Sequence, residues 1–223
     1  MLICGIDEAR RGPVIGSMVL CGALIEGKNM KQLEALKPKD SKLLTKVQRE
    51  ELYDKIIKVL KHYKVIIIQP EEIDRAVQGQ DGLNLNKLEA KKTAEILNKF
   101  QPNKSIVDCP SINIKSYKEY LTNLLKNKKI NLILEHKAER YQLVAAASII
   151  AKVTGDREIE KLKKQIGKDF GSGYMSDPKT AKFLKDNFEK YPDIFRKSWA
   201  PYQDLVKNKF QKNLSDFNKF LKK

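Results

Sequence analysis

The sequence predicts an α/β domain with a mixed five-stranded central sheet flanked by helices. Five short apolar runs have the length of buried strands, and the segments between them repeat their apolar residues at helical spacing. A hydrophobic fraction of 41% over 223 residues is enough to build a sizeable core, which argues against intrinsic disorder. No internal repeat, low-complexity tract or inter-domain linker is visible.

The elements follow in order. Leu2 to Ile6 and Ser17 to Ile25 predict two buried strands joined by a loop containing Arg11, Gly12, Pro13 and Gly16. Lys39-Asp40-Ser41-Lys42 precedes a helix whose apolar face is Leu52, Tyr53, Ile56, Ile57 and Leu60. Val65 to Ile68 predicts a third strand, ended by Pro70. Leu85, Leu88, Ile96, Leu97 and Phe100 mark a helix, Ser105 to Val107 the fourth strand, and Tyr117, Leu121, Leu124 and Leu125 another helix. Ile130 to Leu134 predicts the fifth strand. Beyond it the chain is helical. Leu143 to Val153 is apolar nearly all round, as a buried helix requires, and Gly155 is expected to end or weaken it before Ile159, Leu162 and Ile166 resume the pattern. Phe183 and Leu184 mark a short helix after Pro178. Leu205, Val206, Phe210, Leu214, Phe217 and Leu221 predict an amphipathic terminal helix packed on the core with a basic outer face. The expected division is a catalytic domain over 1–200 and a helical extension over 201–223.

Forty-four Lys and Arg against 28 Asp and Glu give a formal charge of +16, a field that attracts polyanions, nucleic acid foremost. Cys4, Cys21 and Cys109 are odd in number and lack metal-ligand spacing, which fits buried thiols in a reducing compartment. Asp7 interrupts the chain before a signal-peptide core could form. The run Leu143 to Ala151, broken by Ser148, is too short to span a bilayer. A soluble, cytoplasmic monomer with no membrane partner is therefore expected.

The chemistry gathers at strand ends. Asp7 and Glu8 follow the first strand, Asp108 the fourth, and Glu139 lies after the fifth. Ligands in open α/β sheets collect at the carboxyl ends of strands, so Asp7 and Asp108 are expected to converge. Carboxylates with little histidine or thiolate company suit hard cations, Mg²⁺ or Mn²⁺, in phosphodiester hydrolysis. Successive strand residues face opposite ways unless the strand is ending, so Glu8 is expected to contribute partly through its backbone. Glu139 by itself equally fits a surface acid paired with Lys137 or Arg140, Asp108 a turn cap, and His136 a structural histidine. Nothing resembles a nucleophile elbow or a Cys–His pair.

Gly5-Ile6-Asp7-Glu8-Ala9 through Gly16, Asp40-Ser41-Lys42, Val107-Asp108, and His136-Lys137-Ala138 through Ala146 to Val153 together resemble the type 2 ribonuclease H (ribonuclease HII) family, archaeal members especially. Gly171-Ser172-Gly173-Tyr174-Met175-Ser176-Asp177-Pro178 resembles its tyrosine-bearing loop. The match runs in order over about residues 1–200. The resemblance implies a ribonuclease H-like sheet and hydrolysis, with Mg²⁺ or Mn²⁺, of the RNA strand of RNA–DNA hybrids. It further implies cleavage 5′ to ribonucleotides embedded in duplex DNA, leaving 5′-phosphate and 3′-hydroxyl ends. Asp7, Glu8, Asp108 and Glu139 would be the catalytic metal-binding acids. Arg10, Arg11 and Gly12 would occupy the loop that senses the ribose 2′-hydroxyl, Tyr174 would stack at the junction, and Ser41 and Lys42 would contact phosphate.

The chain departs from the family around this site. Arg10 stands where glycine is usual, and its Cβ penalises the positive φ and close sugar approach that glycine permits; the expectation is an added phosphate contact at reduced junction selectivity. Glu139 replaces an aspartate, moving its carboxylate outward. Ala145, Gly155 and Met175 replace serine, arginine and proline. The rival expectation is a diverged homologue that binds hybrid duplex and cuts it poorly.

Overall fold

The computed structural model describes residues 1–38 and 44–220, with side chains described through 211. Its five-stranded sheet has the order β3-β2-β1-β4-β5. The strands are β1 (Leu2–Ala9), β2 (Met18–Glu26), β3 (His62–Ile68), β4 (Lys104–Asp108) and β5 (Asn131–Glu135). β1, β2 and β3 form an antiparallel meander, while β4 and β5 run parallel to β1, which makes the sheet mixed as expected.

β1 runs three residues beyond the expected Leu2–Ile6. Its ladder with β2 continues through Asp7↔Cys21, Glu8↔Leu20 and Ala9↔Val19. Ladder hydrogen bonds outweigh the low strand propensity of two acids. The carboxylates therefore lie within a strand and take opposite faces of the sheet. Asp7 shares a face with Ile3, Gly5 and Ala9, while Glu8 shares the other with Cys4 and Ile6.

One face is covered by α6 (Gln142–Ile166) and α2 (Lys46–Val59), with Val19, Cys21, Ala23 and Ile25 meeting Ala146, Ala147, Ile150 and Ile56. α6 lies so close to β1 that a Cβ on Gly5 would come within 2.6 Å of the Leu143 backbone. The other face is covered by α4 (Leu85–Phe100) and α5 (Ile114–Leu124), through Ile96, Leu97, Tyr117 and Leu121. Asn84 and Asn113 cap these helices, each accepting from an amide three residues on. Thr45 and Gln48 close a capping box on α2.

α6 runs unbroken through Gly155, which is buried, so the expected interruption does not occur. Two short helices were not anticipated: α1 (Met30–Ala35) and α3 (Pro70–Val77). The legible signal for α3 was Pro70 at its first turn followed by Glu71 and Glu72, acids suited to a helix N-terminus. α7 (Pro178–Asn187) and the start of α8 (Ala200–Phe220) pack around a further core of Phe170, Phe183 and Phe195, joined by Tyr202 and Leu205. Phe210 is 66% exposed, so the apolar stripe of α8 is covered only over its first turns. The stripe positions Leu214, Phe217 and Leu221, and the segment Lys39-Asp40-Ser41-Lys42, lie outside the residues whose side chains are described. The three cysteines are free and buried. Among the described residues no helix is long and apolar enough to cross a membrane.

Candidate active site

Parallel pairing of β1 with β4, in the register Ile6↔Val107, puts Asp7 beside Asp108 at the carboxyl edge of neighbouring strands. Asp7 is 3% exposed. One of its oxygens accepts from the Glu8 amide at 2.8 Å; the other, Oδ2, is buried with no hydrogen-bond partner among the described residues. Burial pushes its pKa up to about 7, with the charges of Asp108 and Glu139 adding to the effect and the nearby Ser148 hydroxyl opposing it.

Glu139 sits on a helical turn at Ala138–Arg140, entered through Lys137 in the left-handed region at φ 57°. That turn also brings the Ala138 amide to Oδ1 of Asp108 at 3.0 Å. Burial raises the pKa of Asp108, the Ala138 amide holds it down, and Glu139 raises it further. Glu139 accepts from the Ser148 hydroxyl at 3.3 Å, while Arg140 bonds Glu135. His136 is structural, with Nδ1 3.1 Å from the Cys109 carbonyl.

Glu8, on the opposite face, is partly buried, and its pKa is held well above the ordinary value. Burial is the main cause, then the charges of Glu89, Asp7 and Asp108, with Arg11 pulling the other way. Asp7 and Asp108 thus lie within electrostatic reach of both Glu8 and Glu139. Among the described residues, however, no group of three or more His, Cys, Asp or Glu side chains lies close enough together to hold a metal ion as placed. The donor set is oxygen only, and Asp7 carries a buried oxygen with no hydrogen-bond partner among the described residues, within electrostatic reach of Asp108 and Glu139. Oxygen donors of this kind would suit a hard divalent cation.

Beside the acids lies the loop over 10–16. Arg10 adopts φ 60°, the left-handed conformation for which glycine is suited and which costs an arginine about 1 kcal/mol. Its side chain is turned inward, so the expected phosphate contact gives way to an internal one. The guanidinium, 8% exposed, donates to the Ser172 carbonyl at 2.9 Å and stacks 5.6 Å from the centre of the Tyr174 ring. Arg11 reaches the other way, to Glu89 at 2.7 Å and Asn86 at 2.9 Å on α4. A Cβ on Gly12 would be 3.7 Å from the Tyr174 ring, which places that ring, 37% exposed, against the loop. Val14 and Ile15 both donate to the Gly173 carbonyl, which ties the two loops together. Ser41 and Lys42 lie outside the described residues.

Four neighbours of the site escaped sequence reasoning. Ser148 had a signal, as a lone hydroxyl in an apolar helical run. Glu89, 1% exposed, had the weaker one of an acid on the apolar side of α4. Arg196 and Trp199 had none. Arg196 is fully buried and donates to the carbonyls of Arg10 (2.6 Å), Arg11 (2.6 Å) and Gly16 (3.0 Å), while Trp199 Nε1 donates to Gly12 at 3.1 Å. Burial, aided by the cations of Arg10 and Arg11, lowers the Arg196 pKa to about 9.

Known proteins resemble this chain over most of its length. The model of the family described as Ribonuclease HII matches residues 4–202. Ribonuclease HII of Pyrococcus horikoshii is 42% identical over 228 residues, covering 100% of both chains. The crystal structure of ribonuclease H2 from Pyrococcus horikoshii superposes with a TM-score of 0.84 over 93% of this chain and 98% of the other, at 42% identity. The ribonuclease HII of Archaeoglobus fulgidus, solved in complex with PCNA, superposes with a TM-score of 0.80 over 91% and 96%, at 37% identity.

Proposed function

The chain belongs to the ribonuclease HII family and is a ribonuclease H, and from that premise we propose that it cuts the RNA strand of RNA–DNA hybrids and duplex DNA on the 5′ side of embedded ribonucleotides. The products are a 5′-phosphate and a 3′-hydroxyl. The observation that carries this reading is the placement of Asp7 beside Asp108 on the paired strands β1 and β4, with Asp7 Oδ2 buried and without a hydrogen-bond partner among the described residues.

Asp7, Glu8, Asp108 and Glu139 would hold Mg²⁺ or Mn²⁺, which supplies activation of water and neutralisation of charge on the phosphate. Asp7 and Asp108 are the inner pair, fixed by strand register. Glu8 joins from the opposite face through its carboxylate charge, while its amide braces Asp7. Glu139, oriented by Ser148, accepts a proton from water at the edge of the cluster. Gly12, lacking a side chain, lets a ribose approach the loop backbone, and the exposed ring of Tyr174 stacks on the neighbouring sugar. Ser41 and Lys42 grip phosphate. Arg10 serves this loop as an internal brace and not as a phosphate ligand. The PCNA complex of the Archaeoglobus fulgidus relative supports a PCNA partner here too.

The test incubates the protein with duplex DNA carrying one ribonucleotide, with a full hybrid and with plain duplex, each with Mg²⁺ or Mn²⁺. The expected result is metal-dependent cleavage of the first two only, lost in Asp7→Asn. Binding of hybrid without any cleavage would instead establish the rival, a hybrid-binding homologue.

A further inference from the structure

Arg196 lies far along the chain from the catalytic acids and touches none of them, yet it is the most heavily bonded side chain around the loop over 10–16. Its three donor nitrogens take the carbonyls of Arg10, Arg11 and Gly16, and its own amide donates to the Val14 carbonyl at 2.8 Å. Trp199, over whose ring the Arg196 guanidinium lies at 5.0 Å, takes the Gly12 carbonyl. The segment is itself anchored. Asp74 on α3 accepts from the Lys197 and Ser198 amides at 2.8 and 2.9 Å, fixing the turn that leads into α8.

A planar trans peptide points its N–H opposite to its C=O, and no cis bond occurs among the described residues. With the Arg10 and Arg11 carbonyls held inward by Arg196, the amides of the same two peptide units, those of Arg11 and Gly12, are turned outward. Neither has a backbone acceptor among the described residues. The next unit ends in Pro13, which has no N–H. The outward donors are therefore two consecutive amides, flanked by the Tyr174 ring.

We propose that Arg196 is a positioning residue for ribose recognition: by gripping the loop carbonyls from inside, it aims the Arg11 and Gly12 amides at the 2′-hydroxyl of the bound ribonucleotide. The inference rests on the proposed function, since it assumes that this loop meets the ribose. Arg196 delivers two hydrogen bonds in a planar fork to adjacent carbonyls, which a lysine ammonium cannot reproduce.

The experiment measures affinity for duplex DNA with one ribonucleotide and for the same duplex in all-deoxy form, in the Asp7→Asn background so that no cleavage intervenes. Arg196→Gln and Arg196→Lys are compared with the parent. The expected result is a fall in the ribo-to-deoxy affinity ratio of about tenfold in Arg196→Gln, the discrimination one hydrogen bond supplies. Arg196→Lys recovers part of it, and all-deoxy affinity stays within about twofold of the parent. Should Arg196→Gln not fold, Arg196→Lys decides alone, by a ratio below that of the parent. A ratio equal to the parent's, with both affinities lowered together or unchanged, overturns the proposal. A parent protein that does not itself distinguish the two duplexes overturns the ribose-sensing reading instead.

Discussion

A Cβ added to Gly155 would stand 2.6 Å from Cδ and 3.1 Å from Cγ of Arg10, so the side chain of Arg10 occupies the space that Gly155 leaves open on α6. Two departures from the family pattern are thereby one. An arginine at position 10 and a glycine at 155 fit together in this chain. The Arg10 guanidinium, anchored to Ser172 and Tyr174, cannot swing clear.

Gly155→Ala is accordingly expected to destabilise the protein by about 1–2 kcal/mol, overpacking exceeding the roughly 1 kcal/mol gained in helix propensity. In an Arg10→Gly background the clash is gone and the same substitution becomes neutral or stabilising by up to about 1 kcal/mol. A double-mutant cycle in urea reads the coupling. Strict additivity would show that the two residues do not share this space.

Asp7→Asn is expected to abolish cleavage while stabilising the metal-free fold above neutral pH. The ordinary carboxyl titrates at 3.8 in the unfolded chain and at about 7 in the folded one. The folded state therefore holds its proton more tightly, and stability falls as pH rises from about 4 to about 7, then levels off. Asparagine removes that slope, for a gain on the order of 4 kcal/mol at pH 8. Thermal melts in a chelator at about pH 4 and about pH 8 check it: the two proteins should differ little at the lower pH and diverge progressively towards the higher one.

Ser148→Ala is expected to move the acid limb of the pH–rate profile upward. The hydroxyl lowers the Asp7 pKa and donates to Glu139, so its loss raises the pKa and leaves Glu139 less well oriented. A fall in kcat of about tenfold at neutral pH, recovering at alkaline pH, with KM little changed, is the expected signature. A uniform loss at every pH would count against it.

Gly173→Ala is expected to cost about 2–3 kcal/mol and to loosen Tyr174. The residue has φ 87°, and a Cβ would meet Nη2 of Arg10 at 2.8 Å and the Ile15 carbonyl at 3.0 Å. Since the Gly173 carbonyl ties the Tyr174 loop to the loop over 10–16, junction substrates should lose more activity than continuous hybrid.

The α/β class, the five strands and the acids at their carboxyl ends were all legible in the chain, because they rest on local periodicity and on one general rule about parallel sheets. Asp108 needed only a strand end and Glu139 only its place after the fifth strand, whereas Asp7 was expected after a strand that in fact runs on to Ala9. What tertiary structure alone decided is where the side chains of those segments turn. β1 continues past Ile6 because β2 offers it a ladder, and that continuation sends Asp7 and Glu8 to opposite faces. The destination of Arg10 depends on a glycine in α6, and the loop it belongs to is held by Arg196 and Trp199 near the other end of the chain. Periodicity reports which face of an element is buried. It carries no information on which distant carbonyl a buried guanidinium will meet, because that is set by the docking of whole elements.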